Sequence, residues 1–256
     1  MSVAAAVLGS VGLAVAPVAA LPGGSLTDVS LSLSAERSVY LLGEPVRLAL
    51  TIRNNGQQGV WGFFALALGD EAADIQYRGP DGRFVPLAPA GKPSRCGVFD
   101  GERFPLTLEP REERTIDAVL GLHPATGGFL LDRLGEYELK LVARPRPWSE
   151  PRIVLETNVV HVKVDAPPDG EQAAFADYRR DKLVVLAQAP LVYLRRDAAD
   201  LRAAVDFVAR HRHGVYAQHV RAGLLQLLRA RMGRPESTDA ERKLYEELRA
   251  EAPGER

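Results

Sequence analysis

Residues 38–55 read SVYLLGEPVRLALTIRNN, and they carry the most regular pattern of the chain. Here apolar residues alternate with polar or small ones, in the order Val46, Arg47, Leu48, Ala49, Leu50, Thr51, Ile52 and Arg53. Successive side chains of a β-strand point to opposite faces, so this alternation predicts a strand that is buried on one side. Gly43-Glu44-Pro45 before it and Asn54-Asn55-Gly56 after it are typical of turns and mark the ends of the predicted strand.

Several other short stretches have β-type patterns. They are residues 29–33, 60–68, 75–78, 84–87, 104–108, 116–120, 137–143 and 154–164. Gly79-Pro80-Asp81-Gly82 is a turn sequence, so 75–78 and 84–87 are predicted to pair as a hairpin. The charged run 111–114 is predicted to form a solvated turn. About eight short strands separated by turn signals favour an antiparallel β-sandwich.

The pattern changes from strand-like to helical after the hinge sequence at 166–170. The longest predicted helix spans about Val215 to Met232, and Gly214 separates it from the helix before it. Its apolar stripe consists of Tyr216, Val220, Leu224, Leu227 and Leu228. Thr238 and Glu241 have the spacing of a capping box, which predicts the start of a last helix.

The N-terminus has the features of a secretory signal peptide. Residues 3–16 are apolar or small and uncharged, and Val18-Ala19-Ala20 places small residues where a signal peptidase cleaves. We therefore predict cleavage after Ala20 and a secreted or periplasmic protein, which is then not an integral membrane protein. An uncleaved anchor is the alternative. The predicted organisation is a signal peptide over 1–20, a linker over 21–27, a β-sandwich over 28–166 and a helical domain over 171–256.

Composition excludes some classes of function. The chain has 256 residues and a formal net charge of −1, so its overall charge gives no reason to expect a nucleic-acid partner. Its single cysteine, Cys96, rules out an intrachain disulfide, and a structural role for it is favoured over a nucleophilic one.

Three landmarks resemble those of bacterial immunoglobulin-like modules. Residues 40–54 fit the pattern Y-x-x-G-E-x-V-x-L-x-L-x-I-x-N, Leu108-x-Pro110 precedes a charged turn, and Gly135-x-Tyr137 begins a later strand. Over residues 28–165 the chain resembles the BsuPI-type proteinase inhibitor domain, and the macroglobulin-type modules of larger secreted proteins share the first landmark. The resemblance implies an immunoglobulin-like sandwich, and it carries inhibitor activity as an alternative function. The segment 208–228 is similar to a tetratricopeptide-like helical hairpin.

No catalytic or metal-binding motif is recognisable in the sequence. His211, His213 and His219 are close in sequence, but at this spacing their side chains would not point to one place on a helix. Solvated histidines at helix ends are therefore favoured over a metal site. His123 and His161 are isolated, and both are predicted to be surface residues. We therefore expect no cofactor and no catalytic residues, and an enzyme is the least favoured class.

Two surfaces are candidates for partner binding. Arginines outnumber acidic residues between 190 and 234, and Arg210, Arg212, Arg221 and Arg229 are the predicted contacts to an envelope protein or an anionic surface. A solvated basic face is the alternative. Trp61 and Phe63 form a weaker candidate, an aromatic platform, against the alternative of a core strand. The predicted function is that of a non-enzymatic binding or accessory protein, and a proteinase inhibitor is the alternative.

Overall fold

The computed structural model contains a β-sandwich followed by helices. The residues that it describes are 24–62, 73–80, 82–87, 106–122, 128–144, 153–188, 198–232 and 238–250. We use "sandwich" for the strands between 29 and 165, and "helical lobe" for the helices between 172 and 250. Phe63, Cys96 and His123 lie outside the described residues, as does the predicted signal segment 1–20.

Eleven strands are present in the described part of the sandwich. They are β1 (Val29–Ala35), β2 (Val39–Leu41), β3 (Val46–Asn54), β4 (Val60–Gly62), β5 (Ala73–Arg78), β6 (Val85–Pro86), β7 (Leu106–Leu108), β8 (Glu113–Leu120), β9 (Gly135–Ala143), β10 (Leu155–Glu156) and β11 (Val160–Asp165). One sheet has the order β1-β3-β8, a second has the order β2-β11-β9-β5-β6 with β10 beside β9, and β4 pairs with β7. The first sheet corresponds to strands A, B and E of an immunoglobulin fold and the second to G, F and C, which confirms the predicted fold class.

The alternation of apolar and polar residues that predicted β3 matches the alternation of buried and more exposed side chains along the strand. Val46, Leu48, Leu50 and Ile52 are at most 2% exposed. Leu50 lies opposite Leu33 of β1 on one side and opposite Ile116 of β8 on the other. The apolar face of β3 is therefore the centre of the sandwich core.

Tyr137 at the start of β9 forms a tyrosine corner. Its hydroxyl accepts a hydrogen bond from the backbone N–H of Arg133 and donates one to the carbonyl of the same residue, both at 3.1 Å. The ring is buried, and Gly135 two residues before it has a φ of +126°. This corner is typical of immunoglobulin-like sandwiches. The Gly135-x-Tyr137 landmark of the sequence is therefore the tyrosine corner of the fold.

Two predicted turns had different outcomes. The hairpin across residues 79–82 is confirmed, because β5 and β6 pair antiparallel through Gln76 with Pro86 and Tyr77 with Val85. The solvated turn predicted over 111–114 is wrong in its second half, because β8 already begins at Glu113. Glu113 lies opposite Arg53 of β3, so strand pairing extends into the charged run.

The helical lobe contains five described helices. They are α1 (Gln172–Arg180), α2 (Val184–Gln188), α3 (Ala198–Arg210), α4 (Val215–Met232) and α5 (Asp239–Ala250). The predicted apolar stripe of α4 is completely buried. The capping box is also confirmed, since Thr238 N–H donates to Glu241 Oε2 at 3.1 Å and Glu241 N–H donates to Thr238 Oγ1 at 3.2 Å. None of the helices in the described ranges is long and apolar enough to span a membrane.

Candidate functional site

The junction between the sandwich and the helical lobe is built around the turn that follows β2. Gly43 in this turn has a φ of +77°, a conformation that favours glycine. A Cβ added there would lie 3.0 Å from the ring of Phe175 and 3.1 Å from the ring of Phe129. The turn therefore needs a glycine for its backbone conformation, and the space a side chain would take is already filled by two aromatic rings.

Glu44 places a carboxylate in the interior of this junction. Its side chain is 0% exposed and lies between the sandwich and α4. His219 Nε2 contacts Oε1 at 2.7 Å, and the backbone N–H of Leu41 donates to Oε2 at 2.8 Å. The guanidinium of Arg37 donates to the same Oε1 as His219. One buried carboxylate therefore links the loop after β1, the turn after β2 and helix α4.

The surroundings of Glu44 keep it ionised. Burial by itself would raise the pKa of Glu44, but hydrogen bonds from His219, Leu41 and Arg37 outweigh it, so the pKa lies below its ordinary value. An ionised carboxylate only accepts hydrogen bonds, so His219 must donate from Nε2. A neutral imidazole with its proton on Nε2 and a charged imidazolium both satisfy this requirement.

Tyr216 and Tyr178 form the second part of the junction. The hydroxyl of Tyr216 donates to the carbonyl of Leu42 at 2.7 Å. Burial, followed by the negative charge of Glu44, raises the pKa of Tyr216, so the phenol keeps the proton that it donates. The ring of Tyr178 lies 5.0 Å from that of Tyr216 and is stacked on Phe129 at 5.7 Å. Aromatic packing thus continues from the sandwich into the helical lobe.

A second carboxylate–imidazole pair lies within the helical lobe. Asp177 of α1 contacts His211 Nε2 at 2.9 Å, Arg210 at 2.5 Å and Arg180 at 2.7 Å. The hydrogen bond from His211 is the main cause that lowers the pKa of Asp177, with the nearby arginine charges adding to it. This cluster ties α1 to the C-terminal end of α3.

The chemistry of both pairs is that of structural ion pairs. In the described part of the chain, neither His211 nor His219 is hydrogen-bonded to a Ser, Thr or Cys side chain that could act as a nucleophile. The described residues also contain no group of three or more His, Cys, Asp or Glu side chains that could hold a metal ion. Glu44 accepts from three donors, and Asp177 contacts two arginines and one histidine, so both carboxylates are engaged in structural contacts.

The expectation of solvated helix-end histidines is wrong for two of the three residues. The side chains of His211 and His219 are 18% and 12% exposed, because each faces a carboxylate on another element. His213 is exposed, as expected. His161 is also a surface residue as predicted, and its ring lies 3.8 Å from Glu138. Spacing along the sequence could not reveal these pairs, because the two members are 34 and 175 residues apart.

The structure separates the four arginines of the predicted basic face. Arg221 is only 5% exposed, and its guanidinium donates to the carbonyl of Arg212 at 3.3 Å. An exposed position for Arg221 was therefore wrong, because residues 217, 221, 224 and 228 share one helical face and that face packs inward. Arg210, Arg212 and Arg229 are exposed, and Arg210 pairs with Asp177. Trp61 lies in β4 opposite Thr107.

Comparisons with known proteins leave the family open. No protein-family model matches the chain, and no curated protein matches it. Among solved structures, it is similar to the alkylpurine DNA glycosylase AlkC of Pseudomonas fluorescens (12% identity over 54% of this chain and 31% of that chain, TM-score 0.33). It is also similar to the sporulation control protein Spo0M of Bacillus subtilis (14% identity, 59% of this chain and 55% of that chain, TM-score 0.33).

A third similar structure is the CARDB domain of the PF1109 protein of Pyrococcus furiosus (11% identity, 56% of this chain and 100% of that domain, TM-score 0.28). The chain spans about a third of the length of AlkC and about half of that of Spo0M. At these TM-scores the likeness carries no argument. The assignment of the fold rests on strand order, the buried face of β3 and the tyrosine corner.

Proposed function

We propose that this protein is a non-enzymatic binding or accessory module that acts outside the cytoplasm, secreted or in the periplasm. One observation carries the proposal. The carboxylate–imidazole pairs from which a catalytic centre could be built, Glu44 with His219 and Asp177 with His211, both hold structural elements together. In the described part of the chain, both carboxylate–imidazole pairs therefore stabilise the fold, and the exposed surface is the candidate for binding a partner.

The proposed partner is an envelope protein or an anionic surface that meets the exposed arginines of the helical lobe. Arg210, Arg212 and Arg229 are the exposed members of the predicted set. Arg210 shares its charge with Asp177, and Arg231 is similarly paired with Glu241 at 2.8 Å. Binding through these exposed side chains is weak and depends on salt, since exposed charges are screened beyond about 8 Å at physiological ionic strength.

The test is binding of the purified protein to vesicles with and without anionic lipid, and to immobilised envelope proteins, at low and at physiological salt. The variant Arg212→Glu/Arg229→Glu should lose the salt-dependent binding. Arg53→Glu is the matched control, because it reverses an exposed arginine of the sandwich. Binding that is equal in all three proteins would refute the role of the arginine face.

Two further measurements separate the alternatives. The exported protein should begin at Leu21 in intact-mass analysis, and a mature chain that still carries Met1 would make the segment 1–20 an anchor. The resemblance to BsuPI-type domains supports a proteinase inhibitor as the alternative function. Stoichiometric inhibition of a panel of secreted proteases, together with absent surface binding, would replace the binding proposal with that one.

A further inference from the structure

Two basic side chains converge on a single oxygen at the junction. Arg37 donates to Oε1 of Glu44 from the loop after β1, and His219 reaches the same oxygen from α4. The carboxylate is 0% exposed and the imidazole is 12% exposed, so water screens their contact poorly. The negative charge of Glu44 is what allows two donors of positive character to approach each other here.

We propose that Glu44 is an acid-sensitive latch: its ionised carboxylate holds the helical lobe on the end of the sandwich, and protonation of that carboxylate releases the lobe. The latch does not depend on which partner the protein binds, so it goes beyond the proposed function. It acts through the docking of two parts of the chain, each centred on its own hydrophobic core cluster, and the cluster of the lobe also contains Leu122 of the sandwich.

The groups that face Glu44 explain why protonation opens the junction. Arg37 of the sandwich and His219 of α4 donate to it, and Glu36 is an acidic group near Arg37. The phenols of Tyr178 and Tyr216 also feel its charge. Both phenols stay neutral, because burial raises the pKa of each. Once Glu44 is neutral, Arg37 and the His219 ring lose the negative charge that lies between them, and one of these two donors belongs to each part of the molecule.

The direction of the pH dependence follows from the same contacts. The pKa of Glu44 is lower in the folded protein than its ordinary value, so the stabilisation is present above that ordinary value and is lost as the pH falls through the folded pKa. Raising the pH does not open the latch, because the carboxylate of Glu44 is already ionised and continues to accept its hydrogen bonds. The latch therefore responds to acid alone.

Among the described residues, the neighbouring contacts between the sandwich and the lobe are of other kinds. Glu171, just before α1, accepts from the backbone N–H of Val215 at 3.2 Å, so this carboxylate joins parts of the lobe to each other. Tyr216 donates to the carbonyl of Leu42, and neither group titrates in the acid range. Phe129 and Phe175 contact Gly43 through apolar rings. The centre of the sandwich is formed by apolar side chains such as Leu50 and Leu139, so the sandwich itself stays folded when the lobe undocks.

Hydrogen–deuterium exchange of the full chain tests the latch between about pH 7 and pH 3, with rates corrected for intrinsic exchange. The reporter is α1, because a helix of nine residues has little stability without packing. In the wild-type protein, exchange in α1 should rise about tenfold or more in acid, since hydrogen bonds to a charged group are lost, while β3 and β9 stay protected.

Two variants assign this transition to a residue. Glu44→Gln should show the rapid exchange of α1 already at neutral pH and no further acid step. Asp177→Asn should keep the acid step, which separates the latch from the carboxylate of α1 itself. Glu138→Gln is the matched control for a Glu-to-Gln change, because Glu138 pairs with Arg78 within the sandwich.

Each outcome decides the proposal. An acid step that survives in Glu44→Gln, or that disappears in Asp177→Asn, overturns the latch. If Glu44→Gln does not fold, hydrogen exchange in the wild-type protein and in Asp177→Asn is sufficient to test the proposal. Selective loss of protection in α1 in both proteins supports the latch, and simultaneous loss in α1 and β3 overturns it.

Discussion

The sandwich and the helical lobe reach their stability in different ways. The sandwich core consists largely of aliphatic side chains that alternate along paired strands, and it includes none of the described residues of α1 to α5. The core of the helical lobe includes Leu122 from the sandwich, and Leu41 and Phe129 pack against it. In the described part of the chain, the sandwich core therefore forms without the helices, whereas the core of the helical lobe uses residues that the sandwich supplies. The junction at Glu44 is where that dependence is concentrated.

The largest loss of stability is expected for a substitution in the core of the sandwich. Leu50→Ala should lower the free energy of unfolding by about 2–5 kcal/mol, because Leu50 is completely buried between β1 and β8. Arg53→Ala, which changes an exposed side chain of the same strand, should cost less than about 0.5 kcal/mol. Urea unfolding measures both changes, and equal losses would mean that the register of β3 is wrong.

A glycine tests the packing within the helical lobe. A Cβ on Gly223 would lie 1.8 Å from the carbonyl oxygen of Leu186, so Gly223→Ala should force α2 away from α4 and destabilise the protein by about 1–3 kcal/mol. Ordinarily, alanine in place of glycine inside a helix stabilises it by about 0.5–1 kcal/mol.

Gly170→Ala is the control for this change, because a Cβ there would meet nothing within 4 Å. Thermal unfolding compares the two variants. A stabilised Gly223→Ala protein would show that α2 and α4 do not approach each other as described.

The junction is tested by removing one hydroxyl group. Tyr216→Phe keeps the ring but loses the hydrogen bond to the carbonyl of Leu42, and it should cost about 0.5–1.5 kcal/mol. The loss should appear as faster hydrogen exchange in α4, with β3 and β9 unchanged. An equal change in β9 would mean that the two regions are not separable units.

The smallest effect is expected at the pair within the helical lobe. Asp177→Asn should cost about 0.2–1 kcal/mol at neutral pH, because two of the side chains around Asp177 are at least half exposed. The pKa of Asp177 is lowered in the folded protein, so this stabilisation is lost as the pH falls through the folded pKa. Unfolding curves of the variant and the wild type should therefore converge in strong acid, and a difference that persists there would contradict the assigned ion pair.

Local patterns predicted much of the fold. The alternation along β3, the hairpin at residues 79–82 and the capping box of α5 are all properties of neighbouring residues, and all three are confirmed. The boundaries of α4 also agree with the prediction, since Gly214 precedes the helix and the apolar stripe runs through it. In each case, short-range geometry and burial favour the same structure.

The candidate site could not be predicted in the same way. Glu44 was interpreted as part of a turn, and His219 as a solvated helix-end residue, because the contact between them joins residues 175 positions apart. Arg221 was assigned to the exposed face because of its charge, although its helical position places it inward. The local sign that Glu44 is constrained was its position between the glycine of a turn and a following proline. This position does not indicate which residue Glu44 contacts.

The central claim is that Glu44 and His219 lock the two regions together as a pair. A double-mutant cycle with Glu44→Gln, His219→Gln and the combined variant measures it most directly, by urea unfolding at neutral pH. We predict a coupling free energy of about 1.5–3 kcal/mol, as expected for a buried hydrogen bond to a charged group. A coupling below about 0.3 kcal/mol, which is within ordinary additivity, would contradict the lock and leave the junction to aromatic packing alone.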